Sequence, residues 1–317
     1  MIFGRQTTVR DRVVIQGRGV HSNAPVNLVI NPSEADTGIV FQRSGLPDGR
    51  ERLITADWRN VSMTELCTVI GDQATGAVAT IEHLLAALAG LGVDNALIEI
   101  DGPEAPIMDG SAAAFVAAID QVGVAALAVR RRYIRVLKPV RVETGRAFSE
   151  LRPAREGFRL EVEIDFPTAL IGRQKFAMEL EPERFRREIA RARTFGFVSQ
   201  VEELWKRGFA LGSSLENSVA LDNDRILNPE GLRYDDEFVR HKMLDAVGDL
   251  ALAGAPLIGV YRSYCGGHKS NHAVLKALFA DRDAYEMIEL PTRRRSAGTR
   301  ADASLGLSAA AFAPDRG

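Results

Sequence analysis

Residues 236–252 read DEFVRHKMLDAVGDLAL, a run without proline whose apolar positions recur at helical spacing. Gly254 and Pro256 follow, and then the apolar stretch Leu257 to Tyr261. Glycine and proline placed just beyond such a run are typical of a helix end. We therefore predict a long helix from Asp236 to Leu252 and a strand from Leu257 to Tyr261.

The same order of elements occurs earlier in the chain. Residues Thr80 to Leu91 carry apolar side chains at helical spacing, and Thr80 is placed to cap the first turn. Gly90 and Gly92 then predict the end of this helix, and Ala96 to Ile100 predicts a strand. Each half of the chain thus has a histidine-bearing helix that leads through glycine into an apolar strand, which suggests a duplicated unit.

The remaining pattern predicts an α+β protein with two domains. Charge rises at Arg130–Arg132, so we place the domain boundary there, with domains at 1–129 and 130–291. From Thr292 the sequence loses periodic apolar positions, and we predict a disordered tail over 292–317. Further strands are predicted at Val13–Val20, Val26–Asn31, Tyr133–Val136 and through Val162 and Ile164, and further helices at Ser111–Val122, Pro182–Ala192, Ser199–Arg207 and Asn271–Asp281.

The composition of the chain limits the classes of protein to which it can belong. With 317 residues, 46% of them hydrophobic and 26% charged, the chain matches a soluble globular protein of about two domains. A net charge of −2 disfavours nucleic acid as a partner. The two cysteines, Cys67 and Cys265, are too few for a disulfide framework and suit a reducing compartment. Because no signal peptide or transmembrane segment is predicted, we expect a cytoplasmic protein.

His241 and Asp245 indicate a metal site. They are four residues apart in the predicted helix, so their side chains share one face. Such a pair alone is more often a surface ion pair, but Glu82-His83 offers a second histidine beside an acid. Two histidines and one aspartate leave zinc an open position for water, as in hydrolytic sites. Glu82 is then the natural general base.

Four segments resemble motifs of one enzyme family, in order along residues 1 to about 285. The segments are 80–95, 106–112, 192–197 and 236–245, and they resemble the UDP-3-O-acyl-N-acetylglucosamine deacetylases. The resemblance implies two similar βααβ-type domains, packed with their helices between the sheets. It also implies hydrolysis of the N-acetyl group of UDP-3-O-(3-hydroxyacyl)-N-acetylglucosamine to the free amine and acetate, the committed step of lipid A synthesis in Gram-negative bacteria.

The resemblance also implies a role for each site residue. His83, His241 and Asp245 would bind one zinc per chain, and Glu82 would act as general base. His268 would be the second catalytic group, although the sequence leaves open how it shares acid duty with Glu82. The other implied roles are an oxyanion donor at Thr194, orientation of His268 by Asp249, and substrate contacts at Lys242, Phe195, Val201 and Leu204.

Several alternatives stay open at this point. The apolar residues Val198, Val201, Leu204, Trp205 and Leu211 fit an acyl-chain passage and an ordinary core equally well. A His/His/Asp site accepts iron(II) as well as zinc. We expect a monomer. Rival functions are a zinc deacetylase or peptidase with another substrate, and a catalytically silent binding protein.

Overall fold

The computed structural model describes residues 4–223 and 225–289, so the predicted tail over 292–317 lies outside the described residues. It contains six α-helices in these ranges, and the α+β class predicted from the sequence is confirmed. The helices are α1 Glu82–Leu91, α2 Ala113–Val122, α3 Pro182–Glu188, α4 Val198–Lys206, α5 Glu237–Ala251 and α6 His268–Ala280.

Ten strands precede residue 131. They are β1 Arg5–Val9, β2 Val13–Arg18, β3 Pro25–Asn31, β4 Ile39–Arg43, β5 Arg52–Thr55, β6 Val61–Met63, β7 Val69–Asp72, β8 Gly76–Val78, β9 Ala96–Ile100 and β10 Val124–Arg130. The main sheet has the order β2-β3-β9-β4-β5, with β9 and β4 parallel and the other neighbours antiparallel. A smaller sheet joins β6, β7 and β8, and β1 pairs with β10. A short 3-10 helix, Trp58–Asn60, lies between β5 and β6.

Ten more strands follow. They are β11 Arg132–Val136, β12 Val140–Thr144, β13 Ala147–Arg152, β14 Phe158–Asp165, β15 Arg173–Glu179, β16 Phe195–Phe197, β17 Val219–Asp222, β18 Arg225–Ile226, β19 Leu257–Tyr264 and β20 Tyr285–Glu289. The large sheet centres on β19, which pairs with β13, β11 and β14. Strands β16, β17 and β18 form a separate three-stranded sheet.

The two halves meet through their histidine-bearing helices. Helix α1 packs against α5, while α2 lies on β2 and α5 lies on β14 and β15. In each half this helix leads into a central strand, α1 into β9 and α5 into β19, which agrees with helices packed between the sheets. Gly248 lies at the closest approach, because a Cβ there would be only 1.9 Å from the carbonyl oxygen of Glu82. No described helix is both long and apolar enough to cross a bilayer.

Four predicted helix boundaries were wrong by two residues or more, and one of them is the start of α2, at Ala113 instead of Ser111. Helix α1 begins at Glu82, because Thr80 has φ +55° and its hydroxyl donates to Glu104 instead of capping the helix. Helix α3 ends at Glu188 rather than Ala192, since Ile189 leaves helical geometry at φ −131°. Helix α6 begins at His268, three residues earlier than predicted, directly after the extended Gly267.

Many strands were not predicted from the sequence. Strands β12, β13 and β15 carry arginine and glutamate side chains, and some of these form ion pairs with a neighbouring strand, such as Arg141 with Glu150 and Arg173 with Glu163. This charge hides the alternation of buried residues that reveals a strand. The buried hydrophobic residues nevertheless form one continuous core, to which both halves of the chain contribute.

Candidate metal centre

Two helices bring His83, His241 and Asp245 together, as the sequence predicted. Potential ligand atoms of the three residues all lie within 4.8 Å of one another, and all three residues are buried. His83 comes from α1, whereas His241 and Asp245 lie one turn apart on α5. The Nε2 atoms of His83 and His241 are 3.5 and 3.4 Å from Oδ1 of Asp245.

Asp245 directs one carboxylate oxygen into this cluster. Its Oδ1 atom is buried and has no hydrogen-bond partner among the described residues, whereas Oδ2 accepts a hydrogen bond from Lys242 Nζ at 2.7 Å. Burial alone would raise the pKa of Asp245, but the charged groups around it hold that pKa well below its usual range. An ionised buried oxygen without a donor costs about 1–3 kcal/mol or more. A cation between Oδ1 and the two imidazoles would remove this cost, so the residues fit a metal ion.

His241 is held in the form that a metal needs. Its Nδ1 lies 3.1 Å from the carbonyl oxygen of Ala192, which can only accept a hydrogen bond. Nδ1 therefore carries the proton, and Nε2 keeps its lone pair toward the cluster. Burial lowers the pKa of His241 to about 3 despite the charge of Asp245, so the ring is neutral. Nδ1 of His83, by contrast, is buried without a hydrogen-bond partner among the described residues.

Glu82 lies next to His83 in the chain, and its carboxylate contacts groups outside the cluster of three potential ligands. Its Oε2 accepts a hydrogen bond from the backbone N–H of Thr68 at 3.1 Å. Only 3% of the residue is exposed, and this burial raises the pKa of Glu82 even though the charge of His268 opposes the shift. Its Oε1 is 4.0 Å from Nε2 of His268. A carboxylate with a raised pKa is suited to accept a proton near neutral pH.

His268 and Asp249 form a buried ion pair. Nδ1 of His268 donates to Oδ2 of Asp249 at 2.8 Å. Burial by itself would lower the pKa of His268, but the charge and hydrogen bond of Asp249, with the charge of Glu82, raise it to about 9. Asp249 is fixed in turn by Thr68 Oγ1 on Oδ1 at 2.6 Å and by Asn271 Nδ2 on Oδ2 at 2.8 Å. His268 is therefore protonated at neutral pH and has a fixed orientation.

Two further predicted site residues, Thr194 and Phe195, lie on the segment that follows Ala192. Phe195 is half-buried, with its ring edge-on to Phe238 at 4.9 Å and to His241 at 6.3 Å. Lys242 Nζ lies 5.7 Å from the centre of the Phe195 ring, in addition to its contact with Asp245. The backbone of Thr194 is held by the carbonyl of Gly110 at 2.8 Å.

Helix α4 presents apolar side chains that the protein does not cover. No residue of α4, which the structure describes in full, is buried. Val201 and Leu204 are half-buried, while Val198 and Trp205 are 40% and 52% exposed. This burial pattern is unlike that of an ordinary core helix.

Comparison with known proteins identifies the family. The profile that describes the UDP-3-O-acyl N-acetylglycosamine deacetylase family matches residues 6–280. A protein from Brucella ovis named UDP-3-O-acyl-N-acetylglucosamine deacetylase is 51% identical over 285 residues, which cover 90% of this chain and 98% of the relative. A protein of the same name from Brucella melitensis is 50% identical over the same coverage. The chain belongs to this deacetylase family.

Two residues of this member of the deacetylase family were missed by the sequence argument. Thr68 joins the two predicted catalytic groups, because its N–H contacts Glu82 and its hydroxyl contacts Asp249. Asn271 lies one turn after His268 on α6, a relationship hidden by the wrong start predicted for that helix. Cys67 is 1% exposed and packs as a small buried residue. His21 has a structural contact: its Nδ1 accepts a hydrogen bond from the N–H of Ala210 at 3.3 Å.

Proposed function

We propose that this protein is a zinc-dependent hydrolase that removes the N-acetyl group of UDP-3-O-(3-hydroxyacyl)-N-acetylglucosamine, giving the free amine and acetate. The observation that carries the proposal is the buried Oδ1 of Asp245, without a donor among the described residues and facing Nε2 of both His83 and His241. Membership of the deacetylase family and the names of its relatives support the substrate. The reaction belongs to lipid A synthesis, and we place it in the cytoplasm of a Gram-negative bacterium.

His83, His241 and Asp245 would hold the metal ion. Imidazole and carboxylate ligands suit zinc, and the same set accepts iron(II). Zinc bound at such a site lowers the pKa of water toward neutrality and polarises a carbonyl group. Lys242 would keep Asp245 ionised and fix the direction of its free oxygen, since Nζ holds the other oxygen at 2.7 Å.

Glu82 acts as the general base in this proposal. Its buried carboxylate, oriented by the N–H of Thr68, would take the proton from the water that attacks the acetyl carbonyl. The raised pKa of Glu82 then favours return of that proton as the carbon–nitrogen bond breaks. A positioned group of this type contributes roughly 10²–10⁴-fold to a rate.

His268 would supply positive charge next to Glu82, since its Nε2 is 4.0 Å from Oε1 of Glu82. Because Asp249 keeps it protonated, it can stabilise the negative charge that develops on the carbonyl oxygen or donate a proton to the leaving amine. The hydroxyl of Thr194 is the proposed second donor to the developing oxyanion. Lys242 would contact the substrate, Phe195 would contact its nucleotide-sugar part, and Val201 and Leu204 would contact the acyl chain.

The decisive experiment measures acetate release from the UDP-acyl-sugar by the purified protein, with and without a chelator. We expect activity that the chelator abolishes and that added zinc restores. His241→Ala should lose most of its zinc and its activity, whereas His272→Ala, a histidine bonded to the carbonyl of Trp58 outside the cluster, should keep both. Retention of zinc and turnover by His241→Ala would contradict the assignment. Absence of acetate release by the zinc-loaded protein would contradict the substrate.

A further inference from the structure

Glu104 is a buried carboxylate that the proposed reaction does not use. It is 2% exposed. It accepts hydrogen bonds from the N–H groups of His21 and Ser22, both at 2.9 Å, and from the hydroxyls of Ser22 and Thr80, both at 2.8 Å. All of these donors are uncharged. A buried carboxylate is costly unless it is fully hydrogen-bonded, so this arrangement needs all its partners in place.

The first group of partners lies directly before the proposed base. Thr80 precedes Glu82 by two residues and has φ +55°, a left-handed conformation that a β-branched residue rarely adopts. The hydrogen bond from its hydroxyl to Glu104 holds this conformation. Because the backbone at Thr80 sets the direction in which α1 begins, it also sets where Glu82 and His83 point.

The second group lies on the loop of residues 19–24. Gly19 lets this loop approach the carboxylate, since a Cβ there would be 2.1 Å from Oε2 of Glu104. The loop also holds the segment that follows α4: the carbonyls of Val20 and His21 accept hydrogen bonds from Gly212 and Leu211 at 2.9 and 3.1 Å. The ring of His21 packs edge-on against Phe209 at 5.3 Å. A single carboxylate therefore joins segment 209–212, through loop 19–24, to the start of α1.

We propose that Glu104 is a positioning residue that fixes Thr80, and through it Glu82 and His83, relative to loop 19–24 and segment 209–212. Its effect on turnover rests on the proposed function, but its effect on the geometry of the metal cluster does not. If Glu104 acts through Thr80, loss of either partner should disturb the same contacts. The effects of the two substitutions should then not multiply.

The variants Glu104→Gln, Thr80→Val and the double variant test this chain of contacts. Gln keeps the shape of Glu104 but presents an amide to donors, and Val keeps the shape of Thr80 without its hydroxyl. Thr80→Ser, which retains the hydroxyl, is the matched control. Glu99→Gln is a second control, because Glu99 is a half-buried carboxylate on β9 that accepts from Asn31. Two readouts are measured: kcat and KM for acetate release, and the visible absorption spectrum of the cobalt(II)-substituted protein.

A displacement of the base should lower kcat on the order of 10- to 100-fold in Glu104→Gln and Thr80→Val, with a much smaller change in KM. The double variant should be no worse than the poorer single variant, and both single variants should alter the cobalt spectrum. Thr80→Ser and Glu99→Gln should resemble the unsubstituted protein in both readouts.

Three results would overturn the inference: wild-type kcat and cobalt spectrum in Thr80→Val, equal losses in Thr80→Val and Thr80→Ser, or multiplying effects in the double variant. If Glu104→Gln fails to fold, the two Thr80 variants decide. If the unsubstituted protein releases no acetate, the proposed function fails. The cobalt spectra then decide the positioning role alone.

Discussion

Gly248→Ala tests the close approach of α1 and α5 on which the site depends. A Cβ at this position would lie 1.9 Å from the carbonyl oxygen of Glu82, whereas ordinary contact begins at about 3.5 Å. The three nearest atoms are backbone atoms of Glu82 in α1, so no side-chain rotation can relieve the overlap. The two helices must therefore separate by more than about 1 Å.

This separation pulls His83 and Glu82 away from the groups on α5. A misplacement of about 1 Å can cost on the order of 10²-fold in rate, so kcat should fall by about that factor. Zinc affinity should fall too, because His83 is the proposed metal ligand that lies on α1. Overpacking costs about 1–3 kcal/mol, but alanine is favoured over glycine inside a helix by about 1 kcal/mol. Because the overlapping atoms belong to the backbone of Glu82 and cannot move aside cheaply, the free energy of unfolding should also fall, by about 2 kcal/mol or more.

The assay compares the unsubstituted protein with Gly248→Ala and the larger Gly248→Ser. It measures acetate release, zinc affinity by competition with a chelator, and urea unfolding. Losses of activity and zinc affinity should grow from Ala to Ser. Normal turnover and zinc affinity in Gly248→Ala would refute the argument, since they would mean that the distance between the helices does not control the site.

Four further predictions follow, three for single substitutions and one for the pH dependence of stability. Glu82→Gln removes the proton acceptor but keeps its shape, so turnover should fall roughly 10²–10⁴-fold with zinc content retained; loss of zinc would instead make Glu82 a ligand. Asp249→Asn removes the charge that raises the pKa of His268 to about 9, so the alkaline decline of activity should move to lower pH; an unchanged pH profile would exclude a protonated His268 from the reaction. Because the pKa of His268 is raised on folding, the ion pair should stabilise the protein fully below about pH 6.5 and lose that effect as pH rises through about 9, which urea unfolding can measure. Val201→Trp should lower activity on a long-chain substrate more than on a short-chain analogue, and equal losses would indicate a purely structural role.

The local part of the site could be predicted from the sequence. His241 and Asp245 are four residues apart on one helix, so their convergence follows from helical geometry alone. The association of His83 with them rested on its acidic neighbour Glu82 and on the family resemblance, since no spacing rule joins positions 83 and 241. The predicted boundary near residue 130 and the roles of the individual site residues stay predictions.

The contacts that orient the site could not be predicted in the same way. Thr68 and Asp249 are 181 residues apart, and Thr80 and Glu104 belong to different segments of the first half. These contacts depend on how elements pack and not on local periodicity. The wrong prediction for Thr80 illustrates the point: a threonine before a helix favours capping. Here the hydroxyl of Thr80 donates its hydrogen bond to the buried carboxylate of Glu104 and does not cap the helix.

The arrangement of the site makes its assembly depend on both halves of the chain. His83 and Glu82 lie on α1, whereas His241, Asp245 and Asp249 lie on α5. Thr68 connects the two halves: its hydroxyl donates a hydrogen bond to Asp249 in the second half, and its N–H donates one to Glu82 in the first half. A cation held by all three proposed ligands would tie the two helices together, and its binding energy would stabilise their contact. The pairing of α1 with α5 therefore serves as the platform of the site as well as the centre of the core, which explains why its closest point has room only for a glycine.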